Sequence, residues 1–384
     1  MATPLCPYFK TCNGCATQHI DYSIQLENKK KTLQHAIEYN HIEIFADKEY
    51  FYRNRMDFLF FEEGIGFRQK EPSKRVDVEQ CVIANEKINQ LLKELRDFFK
   101  TPIDAFDNKK KSGTLRYAVI RAPQNNSKES SISFVLNSDS PRLKEVIEQV
   151  EQFAKQTTAE NILVTYVVPE EEESTSEDYI IVKGKNTLRE IIMEKTFYYN
   201  VQGFFQNNFI MTEKMHMYVH NLLKKYNTKD AYLLDLYAGV GTFGIINAEL
   251  FKQTTIIEGF QGCVDAAKIN LQQNNIKNAT ALCLDATHLR RMKFNKPLYV
   301  ITDPPRSGMD MKTIQQLIEL RPEVIIYISC NIQQLGKDVR KFKRYEIKSA
   351  ALFDLFPQTN HAEAVVELVL LKIKLITIDV VIGK

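Results

Sequence analysis

The spacing of apolar and polar positions divides the chain into two textures. Up to about residue 200, short segments of differing period follow one another: a polar amphipathic stretch over 21–39 reads as a helix and 55–61 as an alternating strand. A helix over 89–99, strands over 114–121 and 131–136, and a helix over 141–154 come next. The acidic run 170–177 and the stretch 184–186 read as solvated turns. From 232 the texture changes to apolar runs alternating with helical stretches, with strands predicted over 232–237, 255–258, 280–284, 298–302 and 323–329 and closing strands over 348–353 and 365–373. That alternation marks a parallel sheet covered on both faces. The predicted fold class is α/β: a doubly wound, Rossmann-like domain over 201–384, preceded by an α+β domain over 1–200.

Composition narrows the function classes. Apolar residues make up 44% and charged residues 26% of the 384, the balance of a globular chain, and no uninterrupted apolar run approaches the roughly 18 residues of a membrane span. The N-terminus lacks a signal-peptide succession, so a cytoplasmic location is expected, without membrane association. In a reducing compartment seven cysteines are candidates for metal binding or catalysis rather than disulfides. Four of them, Cys6, Cys12, Cys15 and Cys81, fall in the first eighty-odd residues, while Cys263 and Cys283 are expected in the core. A formal charge of +3 does not by itself announce a nucleic-acid partner, and the runs Lys29 to Lys31 and Lys109 to Lys111 read as solvated faces.

The first strand of the second half runs into DLYAGVGTFG, from Asp235 through Tyr237, Gly239 and Gly241 to Gly244. A glycine turn between strand and helix lets backbone approach a ligand, whether a dinucleotide or S-adenosylmethionine. Glu258 closes the next strand about 20 residues on, the spacing at which a carboxylate accepts ribose hydroxyls, and Asp285 closes the third, within reach of an adenine. For each carboxylate a helix N-cap or solvated loop is the plain alternative. Asp235 is placed to reach the cationic amino-acid moiety of a methyl donor, a choice that no pyrophosphate explains as well.

Three further motifs end at the same carboxyl edge. Asp303-Pro304-Pro305-Arg306-Ser307-Gly308 is a rigid loop in which Arg306 stands where amine methyltransferases place a base-stacking aromatic. Ser329-Cys330-Asn331 delivers a thiol at the end of the fifth strand. Pyrimidine C5 does not attack a methyl sulfonium unaided; a thiolate added at C6 turns the ring into an enolate whose C5 does. A cation such as Arg306 would favour the thiolate. After transfer the C5 proton must be removed, and Phe356 to Glu363 offers two bases, of which Glu363 is favoured because an ordinary carboxylate is ionised at neutral pH. His361 is assigned to orienting the loop.

Together these residues resemble the RNA 5-methyluridine methyltransferases, in the iron–sulfur type that acts on tRNA or large-subunit rRNA. The resemblance covers nearly the whole chain. It implies Cys330 as nucleophile and Glu363 as base. Gln206, Asp235, Tyr237, Gly239, Gly241, Glu258, Asp285 and Asp303 would border S-adenosylmethionine, and Phe204, Asp303 and Arg306 the flipped uracil. Cys6, Cys12, Cys15 and Cys81 look like the family's [4Fe–4S] ligands, with tetrahedral zinc the less favoured occupant of the same four thiols. Many members carry a small β-barrel RNA-binding domain before the cysteines, for which there is no room ahead of Cys6 here. RNA contacts are then expected from the cysteine-bearing domain, with Arg53, Arg55, Arg68 and Lys70 as phosphate candidates. The expected partner is structured RNA, with 23S rRNA slightly ahead of the tRNA T-loop, and no obligate protein partner is implied. The competing readings are a nicotinamide oxidoreductase, which leaves Cys330 without a task, a cytosine-C5 methyltransferase, which shares the thiolate chemistry, and a non-catalytic iron–sulfur RNA-binding protein.

Overall fold

The computed structural model describes residues 2–71, 73–124 and 129–372. In the second half each apolar run became a strand, and the central ones are buried on both faces, which leaves no solvent side to alternate toward. The eight-stranded sheet runs, edge to edge, Ile42–Phe45, Tyr345–Phe353, Glu363–Leu370, Val324–Ser329, Leu298–Thr302, Tyr232–Leu236, Gln253–Glu258, Ala279–Cys283. All neighbours are parallel except Glu363–Leu370, which is antiparallel to both of its own. Chain order reverses between Tyr232–Leu236 and Leu298–Thr302, the switch point at which doubly wound sheets open a ligand crevice. This is a doubly wound, Rossmann-like architecture. The closing strand expected over 365–373 runs from Glu363 to Leu370, and residue 373 lies outside the described residues.

A second, seven-stranded sheet orders Arg75–Asp77, Gly64–Arg68, Arg55–Phe61, Leu115–Arg121, Ser131–Asn137, Asn161–Val167, Tyr179–Lys183. Its one parallel pair, Ser131–Asn137 with Asn161–Val167, is joined by the crossover helix Leu143–Gln156. The helix Glu86–Phe98 buries Ile88, Leu91, Leu92 and Leu95, a stripe at helical spacing, and is capped by Asn85, which accepts from Ile88 N–H. With Phe58, Phe60, Phe134 and Phe153 these residues form the core of this sheet. Hairpin Thr187–Ile192/Lys195–Asn200 joins the halves.

Three features differ from the sequence reading. The strand Ile42–Phe45 joins the eight-stranded sheet and the helix Tyr22–Ile37 packs against it, so a linear division near residue 200 is crossed by the chain. Lys29, read as part of a solvated basic run, is buried and pairs at 2.7 Å with fully buried Asp354, a partner 325 residues away. The acidic turn is pinned as well as solvated: Arg116 binds the carbonyls of Val168 and Glu171, Arg68 pairs with Glu172, and Ser174 donates to Asp57. Among the described residues no helix is long and apolar enough to cross a membrane. Replacing Lys29 by Met leaves Asp354 buried without its cation and is expected to cost about 3–5 kcal/mol, read as a fall in the urea unfolding midpoint; an unchanged midpoint would mean the pair does not hold the fold.

Candidate active site

Register builds the site. Ser329 pairs with Ala364 across the antiparallel neighbours Val324–Ser329 and Glu363–Leu370. One step outward stand Cys330, just past the end of one strand, and Glu363, the first residue of the next, at the edge that Thr302 and Leu236, paired with each other, deliver to Asp303 and Tyr237. Strand pairing thus brings the nucleophile and base candidates to the same edge. Asn331, absent from the sequence-based set, locks the arrangement. It caps the helix Ile332–Val339 by accepting from Gln334 N–H and donates its amide to the Arg306 carbonyl at 2.9 Å. The strand-to-helix position of this Asn is itself an N-cap signal.

The electrostatics differ from the expected ones. Glu363 is 3% exposed, and one of its carboxylate oxygens has no hydrogen-bond partner. Burial, reinforced by Asp303, pushes its pKa well above the ordinary carboxylate value, with Arg306 opposing. The premise that Glu363 is an ordinary, ionised carboxylate is therefore corrected. Asp303 is pushed up to about 7 by burial. Cys330 is pushed up to about 11, by burial first and then by Glu363 and Asp303; Arg306 lowers it as expected but is outweighed. Arg306 Nη2 meets His361 Nδ1 at 3.1 Å, which ties the Pro-Pro-Arg loop to the loop before Glu363.

At the glycine turn, Glu258 accepts from Gly239 N–H and Phe260 N–H, both at 2.9 Å. A Cβ on Gly239 would meet no atom within 4 Å, so the turn, with φ of +53° there, faces open space. Gly244 is required for the opposite reason, because a Cβ would stand 2.6 Å from Ile256. Asp235 is buried and accepts from Gly244 N–H at 2.7 Å, and burial raises it to about 8. It braces the turn from beneath. Tyr237 is half-buried at φ +56°, and Asp285 caps the following turn by accepting from Thr287 N–H, the plain alternative foreseen for it. Gln206 is half-buried, its carbonyl held by Asn54, whose amide also reaches buried Glu190. Phe204 is 66% exposed and borders both a cleft toward Val240 and Phe260 and the cysteine cavity.

Cys6, Cys12, Cys15 and Cys81 all border that cavity of about 420 Å³, with Arg53, Arg55 and Asn207 also on its walls. Among the described residues, no three or more His, Cys, Asp or Glu side chains converge in metal-binding geometry. Of the phosphate candidates, Arg55 is paired with Asp57 and Arg68 with Glu172, while Arg53 Nε donates to the Arg55 carbonyl and Lys70 lies over the Phe9 ring. Cys263 is half-buried on its helix, but Cys283 is exposed rather than in the core, because Ala279–Cys283 is an edge strand.

The fold places a thiol beside a buried carboxylate at the carboxyl edge of a Rossmann-like sheet. A family model described as tRNA (Uracil-5-)-methyltransferase matches residues 21–372, and the chain belongs to that family. An uncharacterised RNA methyltransferase of Caldanaerobacter subterraneus subsp. tengcongensis is 30% identical over 379 residues, covering 94% of this chain and 83% of the relative. The tRNA (uracil(54)-C(5))-methyltransferase of Pyrococcus abyssi is 29% identical, covering 95% and 86%. The crystal structure of that P. abyssi enzyme in complex with S-adenosyl-L-homocysteine superposes with a TM-score of 0.79 at 27% identity, over 93% of this chain and 86% of that one.

Thiol alkylation tests the charge balance. In the ligand-free protein the reactivity of Cys330, followed by peptide mass spectrometry, is expected to climb toward a midpoint near pH 11. Arg306→Met should move it up and Glu363→Gln down; a midpoint near the free-thiol value of about 8.5 would contradict the burial argument.

Proposed function

We propose that this protein methylates C5 of a uridine in structured RNA, using S-adenosylmethionine, with Cys330 as nucleophile and Glu363 as base. The observation that carries the reading is the pairing of Ser329 with Ala364, which sets Cys330 against Glu363 at the edge where Asp303 and Arg306 also arrive. The relative whose substrate is named acts on tRNA uracil-54, and this moves the tRNA T-loop ahead of 23S rRNA as the target. A cysteine-cavity face with the exposed Phe204 beside it supports RNA binding by the N-terminal half.

The glycine turn and Glu258 fit the methyl donor: open space above Gly239 admits a ligand, and the Glu258 carboxylate suits a ribose diol. When bound, the donor supplies an electrophilic methyl group. Cys330 gives its proton to solvent before the ring closes the pocket, a loss that Arg306 favours, and its thiolate forms a bond to C6 while the ring electrons move to O4. Asp303 and Arg306 flank the ring and hold it. Once C5 carries the methyl group, Glu363, in the carboxylate form that Arg306 favours, takes the C5 proton, the C5–C6 double bond re-forms, and Cys330 leaves as thiolate. A carboxylate with a raised pKa is the better base for a carbon-bound proton.

For the metal, the four thiols border one cavity without converging in metal-binding geometry; by ligand type a [4Fe–4S] cluster held by Cys6, Cys12, Cys15 and Cys81 is the reading we hold over zinc. Its contribution would be to draw the cysteine loops together, with no step of the methylation passing through it.

Purified protein incubated with methyl-labelled S-adenosylmethionine and either unmodified tRNA or 23S rRNA should place label in 5-methyluridine of tRNA. Label in rRNA alone would restore the rRNA reading, and label in 5-methylcytidine would replace uracil by cytosine. Cys330→Ala should abolish transfer, a loss of at least about 10³-fold, whereas Glu363→Gln should give methylated RNA still attached to protein. A fully active Cys330→Ala enzyme would sink the mechanism.

A further inference from the structure

The loop that precedes Glu363 is held by the N-terminal segment. Asp354 accepts from Lys29 Nζ and from Tyr22 Oη at 2.9 Å, and its N–H donates to the Phe45 carbonyl. Lys29 also reaches the Phe356 carbonyl, and Tyr52 Oη the Pro357 carbonyl at 3.0 Å. Gln358 is the focus. It is 1% exposed, with a left-handed φ of +67°, and its carbonyl accepts from Ala16 N–H and Thr17 N–H, directly after Cys15. Its side-chain oxygen accepts from Gln25 Nε2 and its amide donates to Glu49, both at 3.0 Å.

We propose that Gln358 is a positioning residue for Glu363, through which the cysteine-bearing segment 15–29 acts as a splint for the base loop. A left-handed conformation at a residue with a side chain persists only where surrounding contacts over-determine it. Here those contacts come from residues 16, 17, 25 and 49, and they fix the turn from which His361 reaches Arg306 and Glu363 enters its strand. The chain's far end thus sets the base against C5. Tyr52 packs with Val82 and Ile83 against Cys6, Cys15 and Cys81 while its hydroxyl holds Pro357, so one buried residue touches both the cysteines and the base loop.

The inference rests on Glu363 as the base, and its test separates the two. Gln358→Gly keeps the left-handed backbone and removes both side-chain bonds, and Gln25→Ala removes the same contact from the other end. Both should slow release of 5-methyluridine about ten- to a hundredfold, the cost of moving a reacting group by about an ångström, while methylated RNA–protein adduct accumulates and KM for S-adenosylmethionine holds. The double variant should be no slower than the slower single one. Hydrogen exchange over residues 356–363, which needs no turnover, should rise in both. Variants that release product at the wild-type rate, or lose activity without accumulating adduct, overturn the proposal alone. A wild-type enzyme that methylates without a Cys330 adduct overturns the mechanism and the proposal with it.

Discussion

The antiparallel strand Glu363–Leu370, inserted between two strands that run the other way, is the constraint on which the site depends. In an all-parallel sheet every strand would bring its carboxyl end to the ligand edge, and a residue at a strand's start would lie on the far side. Reversal of this one strand brings its first residue, Glu363, to the edge where Cys330 ends its neighbour. Register then fixes the pair, because a slip of one residue would turn the buried side chains of the strand to the opposite face. Strand pairing deep in a core is among the stiffest elements a protein has, which suits the roles proposed for the two groups at adjacent ring carbons.

Three acids and one cation share the reacting edge, and burial makes that balance costly. Asp303 and Glu363 disfavour one another's charge and together resist ionisation of Cys330, so the ligand-free pocket is at rest with its thiol protonated. Arg306, tied to His361 and to Asn331, is the cation that acts on both Cys330 and Glu363. Such a site gains by taking the C5 proton only when a ring fills it and water is out, since a charge that is poorly solvated before reaction is readily moved during it. The N-terminal segment contributes from behind, through buried Lys29–Asp354 and the turn at Gln358.

Much of this fold was legible because the central strands of the eight-stranded sheet are apolar runs that end at a motif residue: Asp235 within the first, Asp303 after the fourth, Cys330 after the fifth. Those boundaries fell within about two residues for most strands. What was hidden was non-local. Ile42–Phe45 is four residues long and pairs with a strand some 300 positions later, which no local period announces. Lys29 sits in a triple-lysine run that looks solvated until Asp354 is seen beneath it. The raised pKa of Glu363 follows from burial, which sequence does not give, and the exposure of Cys283 from an edge position in the sheet order. Asn331 could have been found from its N-cap placement, whereas nothing local marks Gln358.

The central claim is that Cys330 adds to the uracil ring and Glu363 removes what sits on C5. RNA bearing 5-fluorouridine at the target tests it most directly, since fluorine cannot leave C5 as a proton does and elimination must stop. The account predicts a stable, methylated protein–RNA complex in the presence of S-adenosylmethionine, with the cross-link mapping by peptide mass spectrometry to Cys330. A cross-link at another residue, or turnover with no covalent complex at all, would contradict it.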